Sequence, residues 1–165
     1  MSVARSAAAA VVAIALAACV STPPRSTAPA PSGSSDAAYL PPPRALLVDS
    51  ALSMLGQPYR FGGAAPGGFD CSGLVVYAAN GAGIRVPRTA REQLATGRPV
   101  TRGAVRGGDL VFLHLARKEL HVGIAIDGER FVHAPSAGGR VRVDSLTAPP
   151  YAKAFLSARR IIAAP

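Results

Sequence analysis

The sequence contains no tryptophan, and its 4 Tyr and 5 Phe make aromatics only 5% of 165 residues. A core so short of rings must be built from Leu, Val, Ile and Ala. It also leaves no stacking platform beside the basic residues, which argues against a nucleic-acid partner. Acidic residues are scarce as well: 9 Asp and Glu stand against 18 Lys and Arg, giving a formal charge of +9 and a pI of about 10.8. That field favours acidic partners in general, including anionic lipid and carboxylate-rich polymers, without choosing among them. The longest uncharged apolar run near the start, Ala7 to Ala18, has 12 residues, against roughly 20 for a helix that spans a bilayer. Two cysteines are too few for a disulfide framework. What remains, 49% hydrophobic and 16% charged, suits one compact domain.

The short apolar run follows Arg5 and ends in Leu16-Ala17-Ala18-Cys19. It reads as a secretory signal over residues 1–18, to be set aside from fold reasoning. Its end resembles the lipobox of bacterial lipoproteins, which implies cleavage before Cys19 and acylation of that residue. Val20 stands where an Asp commonly retains such proteins in the inner membrane, so the expectation is a lipid anchor on the periplasmic face of the outer membrane. An exported chain is also removed from nucleic acid. Val20 to Pro43 holds 7 Pro and 7 Ser or Thr in 24 residues. With almost nothing to bury, it is expected to be a disordered tether reaching ~75 Å at polyproline spacing.

The folded part is expected over 44–165. Arg44 to Leu55 carries Leu47, Val48, Ala51, Leu52 and Leu55 at helical spacing, stopped by Gly56 and Pro58. Asp70 is a candidate N-cap for a helix with Cys71, Leu74, Val75 and Ala78 on one face, ending near Gly81. A short helix follows from Thr89 to before Gly97. Then come β-like runs at Asp109 to His114, His121 to Ile126, Arg130 to Ala134 and Arg140 to Val143. Helices first and strands later predict an α+β domain, its helices packed on a mostly antiparallel sheet.

With Cys19 acylated, Cys71 is an unpaired thiol in an oxidising compartment. It is either a small buried hydrophobe or chemically employed. The start of a helix favours its thiolate and lowers its pKa. His121 and His133 lie on adjacent predicted strands joined through Asp127-Gly128, and two registers are open. A two-residue loop sends them to opposite faces. A three-residue loop, Ile126 to Gly128 with Gly128 left-handed, sets them directly opposite each other. In the second register Cys71 is the nucleophile, His121 its base and His133 the group that orients His121. His114 reads as a polar strand-end residue. A zinc site from Cys71, His121 and His133 is the competing arrangement, but no His pair at i and i+4 supports it, so no metal or other cofactor is expected.

Phe69-Asp70-Cys71-Ser72-Gly73-Leu74-Val75, Gly108-Asp109-Leu110-Val111-Phe112, His121-Val122-Gly123-Ile124 and Phe131-Val132-His133-Ala134-Pro135 resemble, in order and spacing, the NlpC-type cell-wall peptidases. The likeness extends to Pro58-Tyr59-Arg60-Phe61-Gly62-Gly63 and to Val86-Pro87-Arg88-Thr89-Ala90-Arg91-Glu92-Gln93. It implies a small papain-like fold, a Cys71, His121, His133 triad, and hydrolysis of amide bonds in peptidoglycan stem peptides or crosslinks. Tyr59 matches a family Tyr that helps hold the oxyanion or substrate; Asp70 and Ser72, with Arg88 of the later motif, match substrate-binding positions. Ala125 and Leu113 depart from the usual Tyr and Phe, which bears on the cleft rather than the chemistry. No wall-binding module of the kind many relatives carry is expected beside this domain. A non-catalytic wall-binding lipoprotein and a thiol acyltransferase or amidase are the alternatives the same scaffold allows.

Overall fold

The computed structural model describes residues 42–115, 119–136 and 139–162. The expected signal, Cys19 and nearly all of the expected tether lie outside them. No helix among the described residues is long and apolar enough to cross a membrane.

Helix α1 runs over Pro42–Leu52, starting two residues ahead of Arg44. Prolines are tolerated there because first-turn N–H groups have no intrahelical acceptor. Leu47, Val48 and Ala51 form its buried stripe; Leu55, expected on that stripe, falls beyond the helix and is exposed. A small antiparallel hairpin, β1 (Ala64–Ala65) and β2 (Gly68–Phe69), leads into α2 (Cys71–Gly81). Asp70 caps α2 by accepting from the Gly73 N–H at 2.6 Å. Gly73 is required here: a Cβ on it would collide with the Gly63 carbonyl, which lies against the first turn. Helix α3 (Ala90–Leu94) starts with a capping box between Thr89 and Glu92.

The strands are β3 (Arg98–Val100), β4 (Leu110–His114), β5 (Leu120–Ala125), β6 (Arg130–His133), β7 (Arg142–Ser145) and β8 (Phe155–Arg160), with the one-turn helix α4 (Tyr151–Ala154) before β8. They form one sheet in the order β3-β8-β4-β5-β6-β7, antiparallel at every step. The α+β expectation holds, and β4 to β7 are the four expected strands with ends moved by one or two residues.

Strand alternation divides the core. Leu110, Phe112, Val122, Ile124 and Val132 point to the side covered by α1 and α2. Val111, Leu113, Ala125, Phe131 and Ala158 point to the other, where Leu146 and Tyr151 cover them. Asp109, fully buried, fastens the first helix and the last strand among the described residues to the start of β4. It pairs with Arg44 of α1 at 3.1 Å and with Arg160 of β8 at 2.8 and 2.7 Å.

The β5–β6 hairpin takes neither expected register. Ile124 faces Val132, Ala125 faces Phe131, and the Ile126 N–H donates to the Arg130 carbonyl at 2.8 Å. The loop is therefore Asp127-Gly128-Glu129. Gly128 is not left-handed; the Asp127 carboxylate closes the turn by accepting from the N–H groups of Glu129 and Arg130 at 2.8 and 2.7 Å. This register puts His133 across from Gly123, so His121 is its diagonal neighbour on the same face.

Candidate active site

Cys71 occupies the first position of α2, half-buried where the helix meets the start of β5. The amides of Val122 and Ser72 act on its sulfur and favour the thiolate. Val122 follows His121 in the chain, so the sulfur meets β5 one residue after His121. The Cys71 N–H has no hydrogen-bond partner among the described residues. It remains a free donor at a helix terminus.

His121 and His133 are buried and meet through Nε2 of the first and Nδ1 of the second at 2.7 Å, with their rings edge to face. The direct opposition required by the sequence reading is replaced by a diagonal contact, and the relay forms nonetheless. Gly123 makes room for it: a Cβ there would lie 2.6 Å from the Phe131 ring and 3.1 Å from the His133 Cβ. His133 then turns Nε2 to Asp144 Oδ2 at 2.8 Å. Since His133 faces Arg142 across β6–β7, Asp144 is again a diagonal neighbour. Two diagonal steps thus carry one chain of hydrogen bonds across β5, β6 and β7. Asp144 is fixed by Arg142 Nε at 2.7 Å and by the Tyr151 hydroxyl at 2.9 Å.

This order assigns the protons. Arg142, His133 and Tyr151 outweigh the burial that would raise the Asp144 pKa and hold it below the ordinary carboxylate value, so it only accepts. His133 must donate from Nε2, which leaves Nδ1 to accept. His121 must then donate from Nε2, and its Nδ1 carries the lone pair. Both rings are neutral: burial first, then His133 and Arg142, lower His121 to about 3, and burial also lowers His133 despite Asp144.

The thiol corrects the expectation drawn from the helix start. Burial raises the Cys71 pKa, with Asp70 and Glu119 adding to it, and the Val122 and Ser72 amides do not offset this. At rest Cys71 is held as the thiol and His121 as the neutral imidazole, rather than as a thiolate and an imidazolium.

Tyr59 lies on a segment bridged to Phe69, and its N–H donates to the Gly139 carbonyl at 2.9 Å. Its phenol pKa is raised by burial and then by Cys71, Asp70 and Glu119, which brings the hydroxyl into the field of the thiol. Asp70, Ser72 and Arg88 form one cluster. Arg88 grips the Asp70 carboxylate at 3.0 and 2.7 Å and reaches the Ser72 hydroxyl at 3.0 Å, while the Gly62 N–H donates to Asp70 at 3.0 Å. Burial would raise the Asp70 pKa, but these bonds lower it. Buried Gln93 ties the Arg88 segment to α2 through the carbonyls of Pro87 and Ser72 at 2.8 and 3.1 Å. No three His, Cys, Asp or Glu among the described residues are grouped as metal ligands. Sequence reasoning missed Asp144 and Tyr151; the one available signal was that Asp144 directly follows the expected strand Arg140 to Val143.

The profile of the NlpC/P60 family matches residues 56–160. Murein DD-endopeptidase MepH of Escherichia coli (strain K12) is 36% identical over 121 residues, covering 70% of this chain and 45% of that protein. The chain thus spans less than half of that relative. An NlpC/P60 family protein from Bacillus cereus ATCC 10987 superposes with a TM-score of 0.67 at 30% identity, over 72% of this chain and 40% of that one. The NlpC/p60 domain of peptidoglycan hydrolase SagA superposes at 0.61 with 31% identity, over 71% of this chain and 97% of that domain. A profile match across most of the described residues, a helix-start Cys with a strand-borne His pair, and the shared fold lead to one assignment: the chain belongs to the NlpC/P60 family.

Proposed function

We propose that this protein is a peptidoglycan endopeptidase that hydrolyses amide bonds of stem peptides or their crosslinks through Cys71, His121 and His133, with Asp144 behind them. The observation that carries the reading is the single hydrogen-bond chain from Asp144 through both imidazoles to the strand position beside Cys71. The names of MepH and SagA point to the same substrate class.

In the proposed reaction the Cys71 sulfur attacks the amide carbon as its proton passes to Nδ1 of His121. Neutral His121 is suited to accept that proton, and the neighbouring His133 and the Asp144 carboxylate stabilise the resulting cation. The carbonyl oxygen, now negative, takes the unused Cys71 N–H and the Tyr59 hydroxyl. His121 returns the proton to the amine as the C–N bond breaks. Water, deprotonated by His121, then attacks the acyl carbon and releases the thiol. No step calls on a cofactor. Asp70, Ser72 and Arg88 form the wall on the acyl side, with the Asp70 charge shared by Arg88. The excess of basic residues draws carboxylate-rich stem peptides toward the cleft.

A lipid anchor at Cys19 and a position on the periplasmic face of the outer membrane belong to the same proposal, supported by Leu16-Ala17-Ala18-Cys19 and by Val20. The test is mass spectrometry of purified wall fragments incubated with the protein. New stem-peptide or crosslink cleavage products are expected with wild type and none with Cys71→Ala; intact fragments with wild type, or equal cleavage by both proteins, defeat the reading.

A further inference from the structure

Three donors converge on one oxygen of Asp144. Oδ2 accepts from His133 Nε2 at 2.8 Å, from Arg142 Nε at 2.7 Å and from the Tyr151 hydroxyl at 2.9 Å. Oδ1 has no hydrogen bond among the described residues. Arg142 also donates from Nη2 to the Tyr151 oxygen at 3.1 Å. That bond occupies a lone pair of the phenol and turns its proton toward Asp144. Arg142, Tyr151 and Asp144 thus form a closed triangle, and His133 joins it at the carboxylate corner.

The convergence limits what Asp144 does to His133. A carboxylate paired with an imidazole alone favours the charged ring, and the bonds from Arg142 and Tyr151 weaken that pull. Asp144 favours a charged His133, whereas Arg142 opposes charge on both rings. The neighbouring elements bring Cys71 on α2, His114 at the end of β4, Glu119 ahead of β5 and Lys153 on α4. Among the described residues, the hydrogen bonds of the two rings go only to each other and to Asp144.

The consequence runs through the tautomers. A proton taken from solvent by His133 would sit on Nδ1, so that nitrogen would donate and His121 Nε2 would have to accept. The proton of His121 would then occupy its Nδ1, the atom that the proposed reaction needs open for Cys71. We propose that Arg142 is a positioning residue for the proposed hydrolysis: by occupying Asp144 and orienting Tyr151 it keeps the imidazole pair uncharged, and so sets the acid limit of the reaction. The inference rests on the hydrolase reading for its effect on rate, and it adds a residue that acts through Asp144.

The experiment follows two readouts in wild type, Arg142→Gln, Arg142→Lys and Tyr151→Phe. One is the acid limb of kcat/KM on purified wall fragments, which reports the base of the free enzyme. The other is the pH at which nitrogen-15 NMR shows the histidine pair taking up a proton. Arg142→Gln is expected to raise both midpoints by about one pH unit, roughly a tenfold change in proton affinity. Its loss of kcat/KM should be largest at acid pH and shrink as the pH rises. Arg142→Lys keeps the charge and should keep the wild-type midpoints. Tyr151→Phe removes the other donor to the same oxygen and should raise them by less. A residue that only held Asp144 against His133 would, once removed, release the carboxylate and depress the rate equally at every pH. Midpoints unchanged or lowered in Arg142→Gln overturn the proposal. If wild type cuts no fragment, the hydrolase reading fails instead, and the NMR midpoints alone decide whether Arg142 governs the charge of the pair.

Discussion

Asp109 and Asp144 are both carboxylates gripped by arginine, yet their surroundings suit them to different work. Asp109 is wholly buried, and both its charged partners, Arg44 and Arg160, are guanidinium groups. It fastens α1 and β8 to the start of β4. Asp144 has a side chain 26% exposed, and among its partners is a histidine. A carboxylate that can only accept, set against a ring that can hold its proton on either nitrogen, fixes a direction. Arg142 and Tyr151 hold Asp144 in place while it does so. The same interaction type is thus a fastener where both partners are permanently charged, and a proton-ordering device where one partner is an imidazole.

The largest effect expected is at the fastener. Asp109→Ala leaves two poorly hydrated guanidinium groups without their carboxylate, and should cost about 3–5 kcal/mol in urea-unfolding experiments. Asp109→Asn should recover only part of that. At the ordering site the balance reverses. Asp144→Asn should cost little stability and lower kcat by about 100-fold. That is less than the roughly 10⁴-fold cost of losing the orienting carboxylate in a serine-protease triad, because Asp144 acts one imidazole further from the nucleophile. KM should hardly move. Comparable losses of stability in the two variants would erase the distinction.

Acid sharpens it further. Folding lowers the His121 pKa from near 6.5 to about 3, so the unfolded chain binds the extra proton more readily. The stability contributed by neutral His121 is present in full above pH 6.5 and lost progressively as the pH falls toward 3. Melting temperatures should drop across that window in wild type, and less steeply in His121→Gln. The smallest effect concerns Cys71, whose thiol burial pushes up. Its rate of reaction with iodoacetamide should still be climbing with pH above about 8.5, the ordinary thiol pKa. A plateau already reached at pH 6 would instead reveal a resting ion pair.

Much of this was legible from residue order. Asp70 announces the α2 cap, Cys71 the helix start, and the alternation of β5 and β6 brings the two histidines onto neighbouring strands. The hairpin register was not legible, because the turn is closed by the Asp127 side chain rather than by a left-handed Gly128. That one-step difference turned an expected face-to-face pair into a diagonal one. Asp144 was hidden for a related reason. Arg142-Val143-Asp144-Ser145 reads as a polar edge strand, and only its register on β6 shows that the carboxylate reaches His133. Strand β8 escaped notice because its last two residues are arginines, and the buried Asp109 that receives Arg160 is 51 positions away. The sign of the helix-end effect on Cys71 was readable; the depth of burial that overrides it was not.

In the proposed mechanism Asp144 sets the tautomers of two neutral imidazoles and leaves Nδ1 of His121 free to accept the proton of Cys71. Nitrogen-15 NMR of the two histidine rings at pH 6 tests it directly. Both rings are expected to be neutral, each with its proton on Nε2, and that order is expected to be lost in Asp144→Ala. A proton on Nδ1 of His121, or an imidazolium at either ring in the resting protein, would contradict it.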